Sequence, residues 1–412
     1  MKQVKIGIFG LGRGGHYIKN FLANNAEIVA ICDNNPKKVK LLADKLGKDV
    51  ACFDNFDEFI EQEMDGVVIA NYFHEHTKYI IRCLEKNLHV FCECTSNSTM
   101  AEGVQLVRAA EKSKAFFMLA ENYPYMLFNQ EMKRVYEGGT LGKLLYAEGE
   151  YNHPGDPYNT DSVRSLFDGE KHWRNFLPRT YYITHSLAPL VFATGALPVR
   201  VTAMPVVAPA PKDCARVGQV AEKAAIITCL NDDQSVFRVT GCAAFGAEGN
   251  FYRICGEKGQ IENVKGTDNF INLNYNSWEV PEGKEQHNYY QAQWNDKDAE
   301  LIKQAGHGGG DFCVARKFLE CVKTNTPPDM DVYFATRLAS VAILSHRSML
   351  EGGVPYDIPD FRKEEDRVKY ENDTLSPFWY SDGTAPTIPC TTVKDYGPTQ
   401  VQREKFNKAL QE

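Results

Sequence analysis

An α/β protein is predicted: an N-terminal doubly wound parallel sheet, followed by an α+β domain with a large open, mostly antiparallel sheet. Two observations predict it. Through residues 1–124, short β-rich runs alternate with helical stretches. That spacing demands right-handed crossovers and a parallel sheet covered on both faces. From residue 125 onward, strand-like runs follow one another with few helices between them, the pattern of an antiparallel sheet. The chain, 412 residues long, has material for two cores.

Each element follows in order. "VKIGIFG" is a buried strand, "GGHYIKNFLAN" a helix and "EIVAICD" a second strand. "PKKVKLLADKLG" is a helix with proline in its first turn. "VACF" and "NFDEFIEQE" give a short strand and a helix. "DGVVIAN", "LHVFCE" and "AFFMLAEN" are strands separated by the helices "HTKYIIRCLEKN" and "TMAEGVQLVRAAEKS". The second domain, 125–375, opens with the helix "MLFNQEMKRVYEGG". Strand candidates then dominate: "KLLYAEGEY", "PVRVTAMPVV", "AAIITCL", "SVFRVTGCA" and "NFYRICG". Two helices return late, "DFCVARKFLECVKT" and "VYFATRLASVAILSHRSML", the second ended by Gly352-Gly353. Residues 376–412 are rich in Pro, Thr, Ser and Asp and read as an extended arm.

Composition excludes several classes. A net charge of −8 without a lysine or arginine block argues against nucleic acid. No apolar run reaches the roughly 20 residues that cross a bilayer, which argues against a membrane span. The 12 cysteines are scattered and form no CxxC pair, so free thiols are expected and no metal site. No leader-like segment precedes the first strand, and a soluble, cytoplasmic protein is expected.

The motif "GIFGLGRGGH" spans Gly10, Leu11, Gly12, Arg13, Gly14 and Gly15. It follows a strand, opens a helix, and precedes a second strand ending in Asp33, the full context of a dinucleotide site. Gly10 permits the tight turn, Gly12 lets backbone approach a pyrophosphate, and Gly15 lets helix and strand pack closely. The helix N-terminus offers N–H groups to the phosphates. Asp33 would accept hydrogen bonds from ribose hydroxyls and repel a 2′-phosphate, which favours NAD over NADP. Lys37 and Lys38, nearby, weigh the other way.

"GIFGLGRGGH", "VVIANYFHEH" and "HVFCECT", with the β-rich second half, resemble the Gfo/Idh/MocA family of sugar-type oxidoreductases. The likeness implies a Rossmann domain joined to a domain whose open sheet faces the nicotinamide and an oligomer partner. It adds Asn71, His76 and Glu93 to the cofactor side. Within that family, "MLAENYPYMLFNQEMKRVYEGGTLGKLLYAEGEYNH", "HWR", "YYITHSLAPL" and "GHGGGDFCVARKFLECVKTNTPPDMDVYFATRLAS" look like the NAD-dependent glycosidases first known as α-N-acetylgalactosaminidases. Departures are visible. Cys94 stands where an ordinary family dehydrogenase has a substrate-polarising lysine, although those glycosidases also lack it. Tyr181, at i−4 from His185, replaces an aspartate that pairs with that histidine. Tyr72-Phe73 replaces Pro-Asn, and Ser186 and Ala188 stand where those glycosidases tend to have glycine. The galactosamine specificity is therefore not carried over.

The resemblance implies transient oxidation at C3 of a sugar, proton removal at C2, elimination and hydration: glycoside hydrolysis without net redox change. It nominates Glu121, Tyr151, His153, Arg174 and His185 as catalytic residues. Tyr151 is the expected base at C2 and His185 the expected partner of the C3 hydroxyl. Arg174 would hold sugar hydroxyls or an enolate. Tyr151 and His153, at i and i+2, would share one face of a strand end. "GHGGGD", around His307, fits equally a turn whose Asp311 caps the next helix and a substrate loop. Three functions stay open: the redox-neutral glycosidase, a plain NAD-dependent sugar or polyol dehydrogenase, and a non-catalytic NAD-binding protein. A small-molecule sugar or glycoside partner and a homo-oligomer, dimer or tetramer, are expected.

Overall fold

Six parallel strands build the first sheet among the described residues of the computed structural model, which are 3–47 and 49–411. Met1, Lys2 and Glu412, at the ends of the expected domains, lie outside them. The strands are β1 (Val4–Phe9), β2 (Ala26–Cys32), β3 (Ala51–Phe53), β4 (Gly66–Ile69), β5 (His89–Cys92) and β6 (Phe117–Leu119), in the order β3-β2-β1-β4-β5-β6. Helices α1 (Gly14–Ala23), α2 (Pro36–Leu46), α3 (Phe56–Phe59), α4 (His76–Glu85) and α5 (Met100–Lys112) connect them. Local signals set the helix starts. Asn35 caps α2 by accepting from Lys37 N at 3.0 Å, ahead of Pro36. Thr99 and Glu102 form a reciprocal capping box on α5. The expected helix "NFDEFIEQE" shrinks to the single turn of α3.

The second sheet has nine strands: β7 (Leu144–Asn152), β8 (Pro198–Val207), β9 (Glu222–Asn231), β10 (Val236–Ala243), β11 (Gly249–Gly256), β12 (Gly259–Asn263), β13 (Phe270–Tyr275), β14 (His287–Gln291) and β15 (Tyr356–Asp357). It is antiparallel except where β7 pairs with β10. Helices α6 (Leu127–Glu137), α7 (Asp161–Leu166) and α8 (Thr184–Thr194) come before β8. α8 is buried along nearly its whole length, from Thr184 to Val191. Gly149 lets it settle on β7, because a Cβ there would sit 1.9 Å from Ser186 O. This approach sets the height of His185 over the strand that carries Tyr151 near its end. The opposite face of β7 carries Tyr146 and Glu148, with Glu148 ion-paired to Arg238 and Arg253.

Helices α9 (Ala299–Gln304), α10 (Gly310–Thr324) and α11 (Val332–Leu350) follow β14. α10 packs on α1, and α11 lies against both β8 and α5. The late chain thus returns to the first domain. After α12 (Glu364–Tyr370), residues 376–399 are irregular, but α13 (Gln400–Gln411) is helical, so the tail is not wholly an extended arm. Helix formation there rests on tertiary contacts: Phe406 packs with Val163, Ala215 and Val217 in a small separate cluster. The irregular stretch is pinned too. Phe378 is fully buried against Tyr181 and His74, and Trp379 O accepts from His74 Nε2 at 2.9 Å.

Burial keeps three imidazoles neutral. His74, His172 and His346 each sit near a pKa of about 4, because burial disfavours their charge. His346 donates from Nε2 to Pro389 O at 2.8 Å, tying α11 to the tail. Unfolded, these histidines take up protons below about 6.5. Folded, they resist protonation until pH 4. Stability is therefore complete above pH 6.5 and falls as pH drops toward 4, by up to ~3 kcal/mol for His346 alone. Thermal melts from pH 7.5 to 4 check this; a melting temperature that is flat between 6.5 and 4.5 contradicts it.

Candidate active site at the carboxyl ends of the parallel strands

The glycine turn lies where the order of the first sheet reverses, between β1 and β4, the place where ligands bind in such sheets. Gly10 has φ +90°, and a Cβ there would fall 2.3 Å from the Ala70 carbonyl. Gly12 faces open space, with Lys38 Nζ no nearer than 4.0 Å to a would-be Cβ. Close packing on β1 falls on Gly14 rather than Gly15: a Cβ on Gly14 would meet Ile8 at 3.0 Å, whereas one on Gly15 would meet Leu42 of α2. Asp33 is buried and accepts from Leu11 N at 2.7 Å and Asn35 N at 2.9 Å, so its carboxylate is fixed beside the turn. Asn71 Oδ1 is buried without a protein partner. An open glycine cradle, a fixed carboxylate and an orphan amide oxygen fit a dinucleotide.

His76 is buried at the start of α4 and donates from Nδ1 to Thr95 O at 2.7 Å. It braces the loop after β5 against the loop after β4. Arg13 turns away from a simple phosphate role. Its guanidinium pairs with Glu93 at 2.9 Å and with Asp311 at 2.6 Å.

Glu121, two residues beyond β6, is completely buried. It accepts from His185 Nδ1 at 2.7 Å, from Cys94 Sγ at 3.0 Å and from Tyr123 N at 3.2 Å. Burial opposes its charge, yet His185, Cys94 and Thr184 outweigh that and hold its carboxyl below the usual range. Burial and the nearby charges of Glu121 and Glu93 push the Cys94 thiol far up, so it is a neutral donor. Cys94 Sγ, a Glu121 oxygen and a His185 nitrogen lie within 4.8 Å of one another, a donor set that zinc accepts, though here hydrogen bonds already join them. Tyr181 does not stand in for the missing aspartate. It is buried elsewhere, its hydroxyl on Ser98 O at 3.3 Å. Glu121 takes that role from the other domain.

Aromatic rings wall His185. Tyr123 stacks on it at 4.0 Å, and Tyr151 and Tyr182 meet it edge-on at 4.9 and 5.0 Å. Burial, then the charges of Cys242 and Glu121, raises the Tyr151 phenol above its ordinary value. His153 stacks on Tyr151 at 5.8 Å, as the i, i+2 spacing predicts, but is exposed and pairs with Glu248 at 3.1 Å. Arg174 is exposed, its guanidinium 4.4 Å over the Trp173 ring, and its charge is felt at Tyr182 and His172. Its loop is docked by the unusual pair Tyr72-Phe73: the Tyr72 hydroxyl donates to Asp168, and Phe73 stacks on Trp173 at 5.1 Å. The His307–Asp311 pair, 3.0 Å, stands beside Tyr123. Asp311 is no helix cap; Gly309 holds that position, and the Asp311 carboxylate binds Arg13, Asn122 and His307. Tyr123, Tyr182 and Thr184 went unread because nothing in their local spacing marks them.

A Rossmann domain joined to a large mixed sheet, with a His–carboxylate pair between them, defines an NAD-binding oxidoreductase. Comparison with known families agrees. Residues 4–121 match the oxidoreductase family with an NAD-binding Rossmann fold, Gfo/Idh/MocA, and residues 243–367 match the C-terminal domain of glycosyl hydrolase 109. The two matches together describe a Gfo/Idh/MocA NAD-binding oxidoreductase domain followed by a glycosyl hydrolase 109 C-terminal domain. A glycosyl hydrolase family 109 protein of Solibacter usitatus is 26% identical over 406 residues, covering 87% of this chain and 88% of its own. Among solved structures, an Agrobacterium radiobacter oxidoreductase in complex with NAD+, L-tartaric acid and magnesium superposes with TM-score 0.69 at 16% identity, covering 86% of this chain and 98% of its own. Levoglucosan dehydrogenase in complex with NADH and L-sorbose gives 0.70 at 16%, covering 87% and 100%. No helix among the described residues is long and apolar enough to cross a membrane.

Glu121→Gln keeps the shape but turns an acceptor of two side-chain protons into a group with a donor of its own. The expected result is a loss of about 1–3 kcal/mol in stability and a rate of substrate oxidation lower by ~10²–10³-fold. Denaturant melts and stopped-flow absorbance at the NADH band measure both. An unchanged rate removes the dyad from the chemistry.

Proposed function

We propose that the protein cleaves glycosides without net redox change, through a 3-keto sugar. The observation that carries this is the Glu121 cluster: where a sugar dehydrogenase of this family places an ammonium, a neutral thiol donates to the carboxylate that orients His185. Gly10 to Gly15, Asp33 and Asn71 would hold NAD, with His76 bracing their loops and Glu93 on the nicotinamide side. When bound, NAD supplies a hydride acceptor that also returns the hydride. His185, its Nδ1 committed to Glu121, takes the C3 hydroxyl proton at Nε2. A ketone at C3 acidifies the C2–H bond, and Tyr151 removes that proton. Arg174 and His153 hold sugar oxygens at the mouth.

The 26%-identical relative named for glycosyl hydrolase 109 and the matched C-terminal domain support a glycoside substrate. The test is incubation with aryl glycosides in deuterated water without added NAD. Aglycone release with deuterium at C2 is expected. Exchange should quicken with pH, about tenfold per unit across pH 6–8, because the raised Tyr151 phenol ionises in that proportion. Tyr151→Phe should abolish it. Stoichiometric NADH with a keto-sugar, and no aglycone, favours the plain dehydrogenase instead.

We also infer a homo-oligomer in which the ion-paired face of the nine-stranded sheet, around Glu148, Arg238 and Arg253, is covered by another copy. Light scattering after gel filtration should give a dimer or tetramer. A monomer at micromolar concentration rejects this.

A further inference from the structure

A strip of basic side chains without acidic partners borders the Tyr151 end of the large sheet. Among the described residues, no carboxylate is ion-paired with Arg174, Arg179, Arg216 or Lys223, in a chain whose net charge is −8. The carboxylates nearby are committed elsewhere. Glu222 is buried and accepts from the hydroxyls of Thr391 and Thr392 at 2.9 and 2.6 Å. Glu248 pairs with His153. Asp156 offers Arg216 its backbone oxygen at 3.4 Å, while its carboxylate accepts from Tyr158 N at 2.9 Å. Three of the four cations, Arg179, Arg216 and Lys223, are half-buried. Burial, then the charge of Arg179 and that of Arg216, lowers the Lys223 ammonium below its ordinary value. Like charges held together away from water oppose folding unless a counterion meets them.

The fold fastens this strip to the site. Ala243, at the end of β10, pairs with Asn152, the residue after Tyr151. Tyr182 sets its ring 5.9 Å from that of Tyr151 and 5.0 Å from that of His185, and its carbonyl accepts from Cys242 N at 3.3 Å. Gly241 is required beside it, because a Cβ there would fall 2.1 Å from Arg179 O. Arg179 Nε donates to Glu222 O at 3.0 Å, and Ala244 N donates to Lys223 O at 2.6 Å, so the start of β9 and the end of β10 hold both cations in place. Burial pushes the Cys242 thiol up while Arg179 and Arg174 pull it down, so both guanidiniums reach this residue, whose influence is felt in turn at Tyr151.

We propose that Arg179 and Lys223, flanked by Arg174 and Arg216, form an anion subsite, and that the glycoside this protein takes carries a negative group: a carboxylate, sulfate or phosphate. This rests on the glycosidase reading above and narrows its substrate class. A guanidinium presents paired N–H groups that match the oxygens of such a group, and an ammonium adds a compact charge beside it. A neutral sugar would leave the strip's charge unmet. At half-buried positions salt and water screen the pairing less than on an open surface, so one negative group on the ligand gains more there.

The experiment titrates matched glycosides into the NAD-loaded Tyr151→Phe protein by calorimetry, so that binding is read without turnover. One arm sets the p-nitrophenyl glycoside of a neutral hexose against those of its hexuronate, 6-sulfate and 6-phosphate. The other sets a 4-carbamoylphenyl glycoside against the 4-carboxyphenyl one, which places the charge on the leaving group. At least one anionic compound is expected to bind ~10-fold or more tighter than its neutral match at low salt, with the advantage shrinking as salt rises. Adding Lys223→Gln or Arg179→Gln should cut that advantage several-fold while the melting temperature stays close to that of the parent; Lys223 is the cleaner change, because Arg179 also holds Glu222 O. No anionic preference in either arm, or a preference that survives both substitutions, overturns the subsite. Aglycone release by the unmutated protein is followed on the same compounds. Release without anionic preference overturns the subsite alone, and preference without release overturns the glycosidase reading while supporting the subsite.

Discussion

The carboxylate of Glu121 has no contact with water and three donors gathered around it. Taking such an ion out of water costs several kcal/mol unless its lone pairs are met. The fold must therefore deliver those donors, and it draws them from separate places. Cys94 comes from the loop after β5, Tyr123 N from the turn after β6, and His185 from the first turn of α8. Two belong to the nucleotide domain and one to the sheet domain. Pairing the charge thus fixes the seam between the domains as well as the tautomer of His185.

A second buried carboxylate, Asp311, repeats the arrangement, its partner His307 standing beside Tyr123. Asp311 begins α10, which packs on α1, and its oxygens hold Arg13 from the glycine turn. Arg13 in turn meets Glu93 and Tyr17. The cofactor turn is thereby locked to the late chain through charge-assisted hydrogen bonds, which are stronger than neutral ones. Such a turn is preorganised, and little ordering remains to offset binding.

The sequence made the first domain readable because its signals are local: strand and helix periods, caps, and a glycine turn whose spacing follows from phosphate geometry. The second domain was legible only as a class. Its charge pairs join residues far apart in sequence, such as Glu121 with His185 and Arg13 with Asp311, and no local pattern encodes them. The same reason hid α13, which is polar along most of its length and anchored by Phe406 in a cluster with residues of α7 and the 215–217 segment. Gly14 and Gly15 were interchanged because the start of α1 decides which faces β1, and helix starts are uncertain from sequence by a residue or two. Tyr181 shows the limit from the other side: a position matched by motif had already been reassigned to packing.

The exchange of an ammonium for a thiol changes where a proton can rest. A lysine beside Glu121 would neutralise the carboxylate and leave His185 to pass its proton outward. Cys94 is neutral and keeps its own proton, so the mobile proton near Glu121 belongs to His185. In the proposed cycle a proton taken from a sugar hydroxyl would stay within the His185–Glu121 pair, next to the oxygen it left. That suits a cycle in which hydride and proton both return to the same carbon and oxygen, and suits poorly one in which both depart with product. The wall of Tyr123, Tyr151 and Tyr182 reinforces the point, since rings packed on three sides of the imidazole limit the water that could carry the proton away.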